Sequence, residues 1–378
     1  MMKILVVSGA RIVGGAERVT LQLSQLLAQR GHRVEVLCPR GVWLAALTQA
    51  GIRVYPAAIG GAANLFTPLA IARAISLSRP DLLLVTTTDE WVWSSLLPRR
   101  ADGPALVMVR HMGLRLSFRV RWLAGRRADA IVAVAPSVRD ALLPDSAIPP
   151  AKVHTILNAI RFPVRSAIPD RAERMEARAR LGLPAADFWV GFLGGINLGK
   201  GIEDAMEAVR HAQSALGDVR LLVCGRKDTR QPTPDGEIIA ARHELKDKAH
   251  FLGHLDDVIP ALLASDALVI ATRSTLREGL AQTALDAMAC GTPIAAYALG
   301  GVIDAVGATE PVAILARPDD VADLSSALFT LLHDREQAGG LAMRGLDRAR
   351  QMFDPAVMAD RYERLFADLL SARGRGAH

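Results

Sequence analysis

Cysteines and long apolar runs are both scarce in this chain of 378 residues. The three cysteines, Cys38, Cys224 and Cys290, are an odd number, each in or beside an apolar run and none at metal-ligand spacing. That argues against a disulfide framework or a cysteine metal site, and predicts reduced, buried thiols in a cytoplasmic protein. No apolar stretch approaches the ~20 residues of a membrane-spanning helix, and Ile4-Leu5-Val6-Val7 is too short for a signal-peptide core. Neither the dinucleotide fingerprint Gly-x-Gly-x-x-Gly nor a phosphate-binding Gly-x-x-x-x-Gly-Lys-Ser/Thr occurs. What is present is ordinary for a folded protein. Hydrophobic residues at 51% and charged residues at 22% exclude wholesale disorder, and the length fits two domains.

The net charge of +6 is unevenly spread. Residues 1–170 hold 21 basic against 10 acidic residues, a net of +11; the remainder holds 24 against 29, a net of −5. The first half therefore suits an anionic partner. Within it, Gly103–Ala128 has no acid and six arginines, interleaved with Leu114, Leu116, Phe118, Trp122 and Leu123. A helix of this kind can lie on an anionic bilayer, or pack as a buried helix whose arginines pair elsewhere. No nucleic-acid motif accompanies the charge, so no nucleic-acid partner is expected.

Short apolar runs alternate with helical patterns in both halves. In the first, Lys3–Ser8, Val34–Leu37, Leu82–Thr86, Leu106–Val109 and Ala130–Val134 read as buried strands. Proline and charge then break the rhythm over 158–186, which reads as a linker carrying one solvated helix. The alternation resumes with Trp189–Leu193, Arg220–Val223, His250–Leu252, Ala267–Ile270 and Pro293–Ala296. Such alternation predicts an α/β chain with two doubly wound parallel sheets, whose strand ends offer a ligand crevice. From Asp354 onward, Met358, Tyr362, Leu365, Phe366 and Leu369 mark one face of a final amphipathic helix.

Three strand-to-helix loops carry candidate chemistry. Gly9–Glu17 brings glycines to a helix start, where backbone N–H groups can approach a phosphate or sugar, or simply make a tight turn. Gly194–Gly201 places Lys200 at a second helix start, as a diphosphate cation or a solvated surface lysine. Arg277–Pro293 puts Glu278 in a loop and Asp286 within the following helix. Carboxylates there accept hydrogen bonds from sugar hydroxyls; the plainer alternative is a cap and a surface acid.

In combination, Gly-Gly-Ala-Glu (14–17), Leu-Gly-Lys-Gly (198–201) and the block from Glu278 through Cys290-Gly291-Thr292-Pro293 resemble glycosyltransferase family 4. Ile156-Leu157-Asn158-Ala159-Ile160 and Leu299-Gly300-Gly301 add to the resemblance. These are retaining nucleotide-sugar glycosyltransferases of the GT-B fold. The resemblance implies two Rossmann-like domains facing across a cleft, the first spanning 1–160 plus a returning helix 355–378, the second 161–354. It implies no metal and no cofactor, in keeping with the lack of any Asp-x-Asp triplet. The donor is a nucleoside-diphosphate sugar, UDP ahead of GDP, and the acceptor a glycan or glycolipid at the inner membrane face. By position, His111 and Glu278 are catalytic. Lys200 and Thr283 meet the diphosphate, Gly279, Leu280 and Ala281 offer backbone amides, Asp286 meets the ribose, and Gly14 and Gly15 close over the diphosphate. Relatives carry an arginine five residues before the lysine, where this chain has Gly195; Arg226 or Arg273 is the expected replacement. Asp286 stands where glutamate is usual. The patch Arg115, Arg119, Trp122, Arg126 and Arg127 is assigned to membrane or acceptor. Two rivals share the architecture: a nucleotide-sugar epimerase, and a nucleotide-sugar-binding protein without turnover.

Overall fold

Buried aliphatic strands, each flanked by helices, build two units. The computed structural model describes residues 1–374 apart from 62, 99, 101, 145, 146, 185, 187 and 228–233. The first unit comprises Met1–Arg161 with Asp354–His378, and the second Phe162–Phe353.

In the first unit the described strands are β1 (Lys3–Val7), β2 (Arg33–Cys38), β3 (Arg53–Pro56), β4 (Leu82–Val85), β5 (Ala105–Arg110), β6 (Ala130–Ala133) and β7 (Val153–Thr155). They pair in parallel in the order β3-β2-β1-β4-β5-β6-β7. Ile4, Leu5, Val6 and Val7 are all buried, as expected of a central parallel strand covered on both faces. The order reverses at β1, so the chain ends of β1 and β4 open side by side. The connecting helices are α1 (Gly15–Gln29), α2 (Val42–Gln49), α3 (Thr67–Ser78), α4 (Thr88–Leu96), α5 (Phe118–Arg127) and α6 (Pro136–Leu142). Val19, Leu23 and Leu27, four residues apart, turn one buried stripe of α1 inward.

The second unit runs α7 (Arg171–Arg180), β8 (Phe188–Leu193), α8 (Ile202–Leu216), β9 (Val219–Cys224), α9 (Gly236–Arg242), β10 (Ala249–Gly253), α10 (Ile259–Ala264), β11 (Ala267–Ile270), α11 (Gln282–Cys290), β12 (Ile294–Tyr297), α12 (Gly300–Val306), β13 (Ile314–Ala316), α13 (Val321–His333) and α14 (Arg335–Met352). Its sheet is again parallel, in the order β10-β9-β8-β11-β12-β13. The last helix, α15 (Pro355–Ala372), starts at the cap Asp354 and packs against α1 of the first unit. There Arg30 pairs with Asp360 and Glu363, His32 Nε2 lies 2.7 Å from Glu363, and Arg373 reaches Asp129 at 2.7 Å. The three cysteines are free and buried, and no described helix is long and apolar enough to cross a membrane.

The reading of 158–186 as a linker with a solvated helix is corrected. Helix α7 is docked, and its arginines do the docking. Arg178 Nε donates to Ala264 O at 3.0 Å and Arg174 to Ser265 O, taking up carbonyls at the C-terminus of α10 that its own helix cannot bond. Arg178 Nη2 also meets Asp266 Oδ2 at 2.6 Å, and the same oxygen accepts the Trp189 N–H at 2.8 Å. Both side chains are buried. Removing the acid leaves a buried guanidinium and a buried amide without their partner. Asp266→Ala should therefore cost about 3–5 kcal/mol, read by urea unfolding. A loss within the scatter of surface substitutions would show that Arg178 reaches water when unpaired.

Candidate active site

The C-terminal ends of β8 and β11 bring two of the sequence motifs together. After β8, a 3-10 turn over Leu198–Lys200 leads into α8, and the Asn197 side chain accepts the Lys200 N–H at 2.8 Å. Gly201 follows with φ +69°, and a Cβ there would lie 1.9 Å from the Ala271 carbonyl oxygen. Only glycine admits this approach, which fixes the lysine turn against the end of β11. The next loop is fixed the same way. A Cβ on Gly301 would lie 1.7 Å from Gly279 O, so the start of α12 presses on the loop before α11.

Those constraints set Lys200 beside Glu278, and the two side chains form an ion pair. Each keeps about a fifth of its side-chain surface exposed, at 23% and 19%. Burial pushes the Lys200 ammonium down to about 8, while the adjacent carboxylate works against that push. Thr283 is the second residue of α11 and half-buried; the helix cap, Ala281, makes no side-chain cap bond. The positive end of α11 thus begins four residues beyond Glu278.

Several expected ligands are placed differently. The Ala281 amide is not available, because it donates to Gly301 O at 3.1 Å. Arg273 is not a spare phosphate cation: its Nε donates to Asp204 Oδ2 at 2.9 Å, its Nη2 pairs with Oδ1, and Tyr297 Oη donates to the same acid at 3.0 Å. Asp286 has no exposed surface and lies within α11. Arg226 is exposed, and its carbonyl accepts the Ile196 N–H at 2.8 Å, which keeps it beside the lysine loop. Gly279 and Leu280 are buried within the loop ahead of α11.

In the first unit, His111 directly follows β5, and both ring nitrogens are buried without a hydrogen-bond partner. Burial, with the Arg110 guanidinium adding to it, pushes the imidazole down to about 4, so it is neutral near pH 7. Gly14 caps α1 and Gly15 opens it, but the Gly14 N–H already donates to Glu17 Oε2 at 2.9 Å. On the basic segment, Arg115, Arg119, Trp122 and Arg126 are exposed, Arg126 stacking 4.9 Å from the Trp122 ring. Arg127 is not part of a free patch, since it donates to Leu97 O. Arg110 likewise donates to Leu114 O and the Thr88 hydroxyl, and Arg121 donates to Leu116 O. The sequence reading missed Asn197, Asp204 and the buried Glu90 of α4. Glu90 had a signal: Thr87-Thr88-Asp89-Glu90 after an apolar strand has the Thr-x-x-Glu form of a helix start.

Two parallel-sheet Rossmann-like units of this kind define the GT-B architecture. A solved structure of Anabaena HepE in complex with UDP-glucose matches with a TM-score of 0.81 at 21% identity, covering 98% of this chain and 100% of that one. Residues 13–162 match the model for Glycosyltransferase Family 4, and residues 187–334 that for Glycosyl transferases group 1. The 2-deoxystreptamine glucosyltransferase of Streptomyces kanamyceticus is 33% identical over 57% of this chain and 54% of its own length. A glycogen synthase of Mycobacterium tuberculosis is 27% identical over 95% and 92%. The match to the first of these relatives spans about half of its length. The chain belongs to glycosyltransferase family 4.

If Lys200 meets a diphosphate, its charge state sets affinity. UDP binding measured by calorimetry should weaken as pH rises through about 8. In Glu278→Gln the carboxylate no longer favours the ammonium, so the fall should begin at lower pH, and Lys200→Ala should flatten it. A profile identical in all three proteins would remove Lys200 from the anion site.

Proposed function

We propose that the protein is a retaining, metal-independent glycosyltransferase that moves a sugar from a nucleoside-diphosphate sugar to a hydroxyl of a glycan or glycolipid. The observation that carries this reading is the pairing of Lys200 with Glu278 at the start of α11. Before donor arrives, each charge compensates the other. When it binds, the ammonium turns to the diphosphate and the carboxylate is released to accept hydrogen bonds from sugar hydroxyls. As the glycosidic bond breaks, negative charge grows on the leaving phosphate, where Lys200 and the α11 amides are already oriented. No side chain is assigned as nucleophile: the acceptor hydroxyl attacks on the face the diphosphate leaves, and its proton passes to the departing phosphate oxygen. Neutral His111, with both ring nitrogens unpartnered, has the capacity to bond an acceptor or sugar hydroxyl. UDP is the preferred nucleotide, in line with the UDP-glucose of the HepE complex.

The proposed acceptor is of the cell-envelope type, met at the inner membrane face. The support is the basic outer face of α5, where Phe118 and Trp122 are 58% and 46% exposed among Arg115, Arg119 and Arg126. Arginines and aromatic rings together suit an anionic interface.

Two measurements test this. Transfer from a UDP sugar in the presence of a chelator should give product with the donor's anomeric configuration, and Glu278→Gln should lower turnover about ten- to a hundredfold with UDP affinity at pH 7 reduced far less, the loss of one charge-assisted bond. Inverted product, metal dependence or unchanged turnover would each refute a part. Sedimentation with vesicles should require anionic lipid and decline with salt, and Arg115, Arg119 and Arg126 changed together to Glu should abolish it. Binding to neutral vesicles, or none at all, would return α5 to a purely packing role.

A further inference from the structure

The second unit holds a cavity of about 940 Å³ at the edge of its sheet opposite the lysine turn and the acid loop. Phe188 opens β8, Asp218 directly precedes β9 and Asp266 directly precedes β11, so these lining residues mark strand starts. Lys200 and Glu278 lie beyond strand ends. Four arginines, Arg171, Arg174, Arg178 and Arg335, face the same space, against the two acids Asp218 and Asp266 among the described residues. Both acids are committed. Asp218 pairs with Arg220 and Lys248, which lie outside the cavity lining. Asp266 holds Arg178 at 2.6 Å and meets Arg335 at 3.3 Å. Arg174 spends an amino group on Ser265 O. Burial pushes its guanidinium below the ordinary range, Asp266 works against that push, and the neighbouring Arg335 and Arg178 add to it.

Two of these cations sit where a helix disfavours them. Arg171 is the first residue of α7 and Arg335 the first of α14, at the positive ends of both helices. Their caps, Asp170 and Asp334, turn to their own helices, accepting the Glu173 N–H at 2.8 Å and the Gln337 N–H at 2.9 Å. Capping therefore does not call for either arginine, and both are exposed. The rest of the lining includes Met175, Leu183, Pro184 and Phe188, and the Arg335 guanidinium lies 4.8 Å over the Phe188 ring. Guanidinium forks match phosphate oxygens and also stack on planar groups. The volume falls within the roughly 300–1,000 Å³ of small-molecule sites.

We propose that this cavity binds an organic phosphate, its phosphate group meeting Arg171, Arg174 and Arg335 and its apolar body lying against Phe188 and Met175. The site is separate from that of the donor, and the proposal does not rest on the transferase reading.

The test is calorimetry on the full chain at pH 7 with UDP at saturation, which keeps the donor site filled. Naphthyl phosphate should bind at least tenfold tighter than inorganic phosphate or naphthol, the two halves of the probe. Arg171→Gln combined with Arg335→Gln should weaken naphthyl phosphate at least tenfold and leave UDP affinity unchanged. No binding of naphthyl phosphate, no preference over naphthol, or undiminished affinity in the double variant would overturn the proposal. Should the double variant fail to fold, Arg171→Gln at its exposed helix start decides alone, and unchanged affinity there overturns the site. AMP and dihexanoyl phosphatidic acid separate the sources: tighter AMP assigns a nucleotide, tighter phosphatidic acid a phospholipid headgroup, and binding of neither overturns the proposal. Failure of UDP itself to bind counts against the transferase reading alone.

Discussion

Two carbonyl oxygens pressed against glycine α-carbons hold the donor-side loops in place. Ala271 O lies where a side chain at 201 would be, and Gly279 O where one at 301 would be. Each contact joins the loop beyond one strand to the loop beyond another, so the lysine turn, the acid loop and the start of α12 cannot shift independently. The pairing of Lys200 with Glu278 follows from this backbone geometry. A methyl group at either glycine would have to displace main chain, not a flexible side chain, and the site would open from beneath.

Within each unit, charge is organised largely by pairing rather than by excess. Asp204 gathers Arg273 and Tyr297 below the site, Asp266 gathers Arg178 and Arg335 behind it, and Glu17 occupies an amide of the first glycine loop. Lys200 is different because its partner is itself a candidate sugar ligand. On the proposed function this ion pair is exchangeable: both members would gain other partners from diphosphate and sugar, which limits the cost of separating them.

Much of this was legible in the sequence because buried parallel strands write themselves as apolar runs. β1, β4, β5, β6, β8, β9 and β11 were read within a residue or two of their ends. The short strands β3, β7 and β13 escaped: Arg53–Pro56 is half polar, and Val153–Thr155 and Ile314–Ala316 are too brief to show a period. Helix α7 misled for a physical reason, since arginines that bond buried carbonyls look like solvated ones in a sequence. The same blindness affected Arg273 and Arg127. Motif order singled out Lys200 and Glu278, but it could not show that Asp286 is fully buried or that the Ala281 amide is occupied.

The return of α15 to α1 gives the two units different histories during synthesis. The second unit is encoded without interruption, so its sheet can close as soon as residue 353 has left the ribosome. The first unit has its sheet early, yet the helix covering α1 comes some 330 residues after Arg30 and His32. Until then the surface of α1 that α15 packs against is uncovered on a nascent chain, where a chaperone or a neighbouring chain can engage it. Loss of the last two helical turns would be felt in the oldest part of the protein, since Arg373 is anchored to Asp129 at the edge of β6. Such a truncation would unsettle the first unit and spare the second.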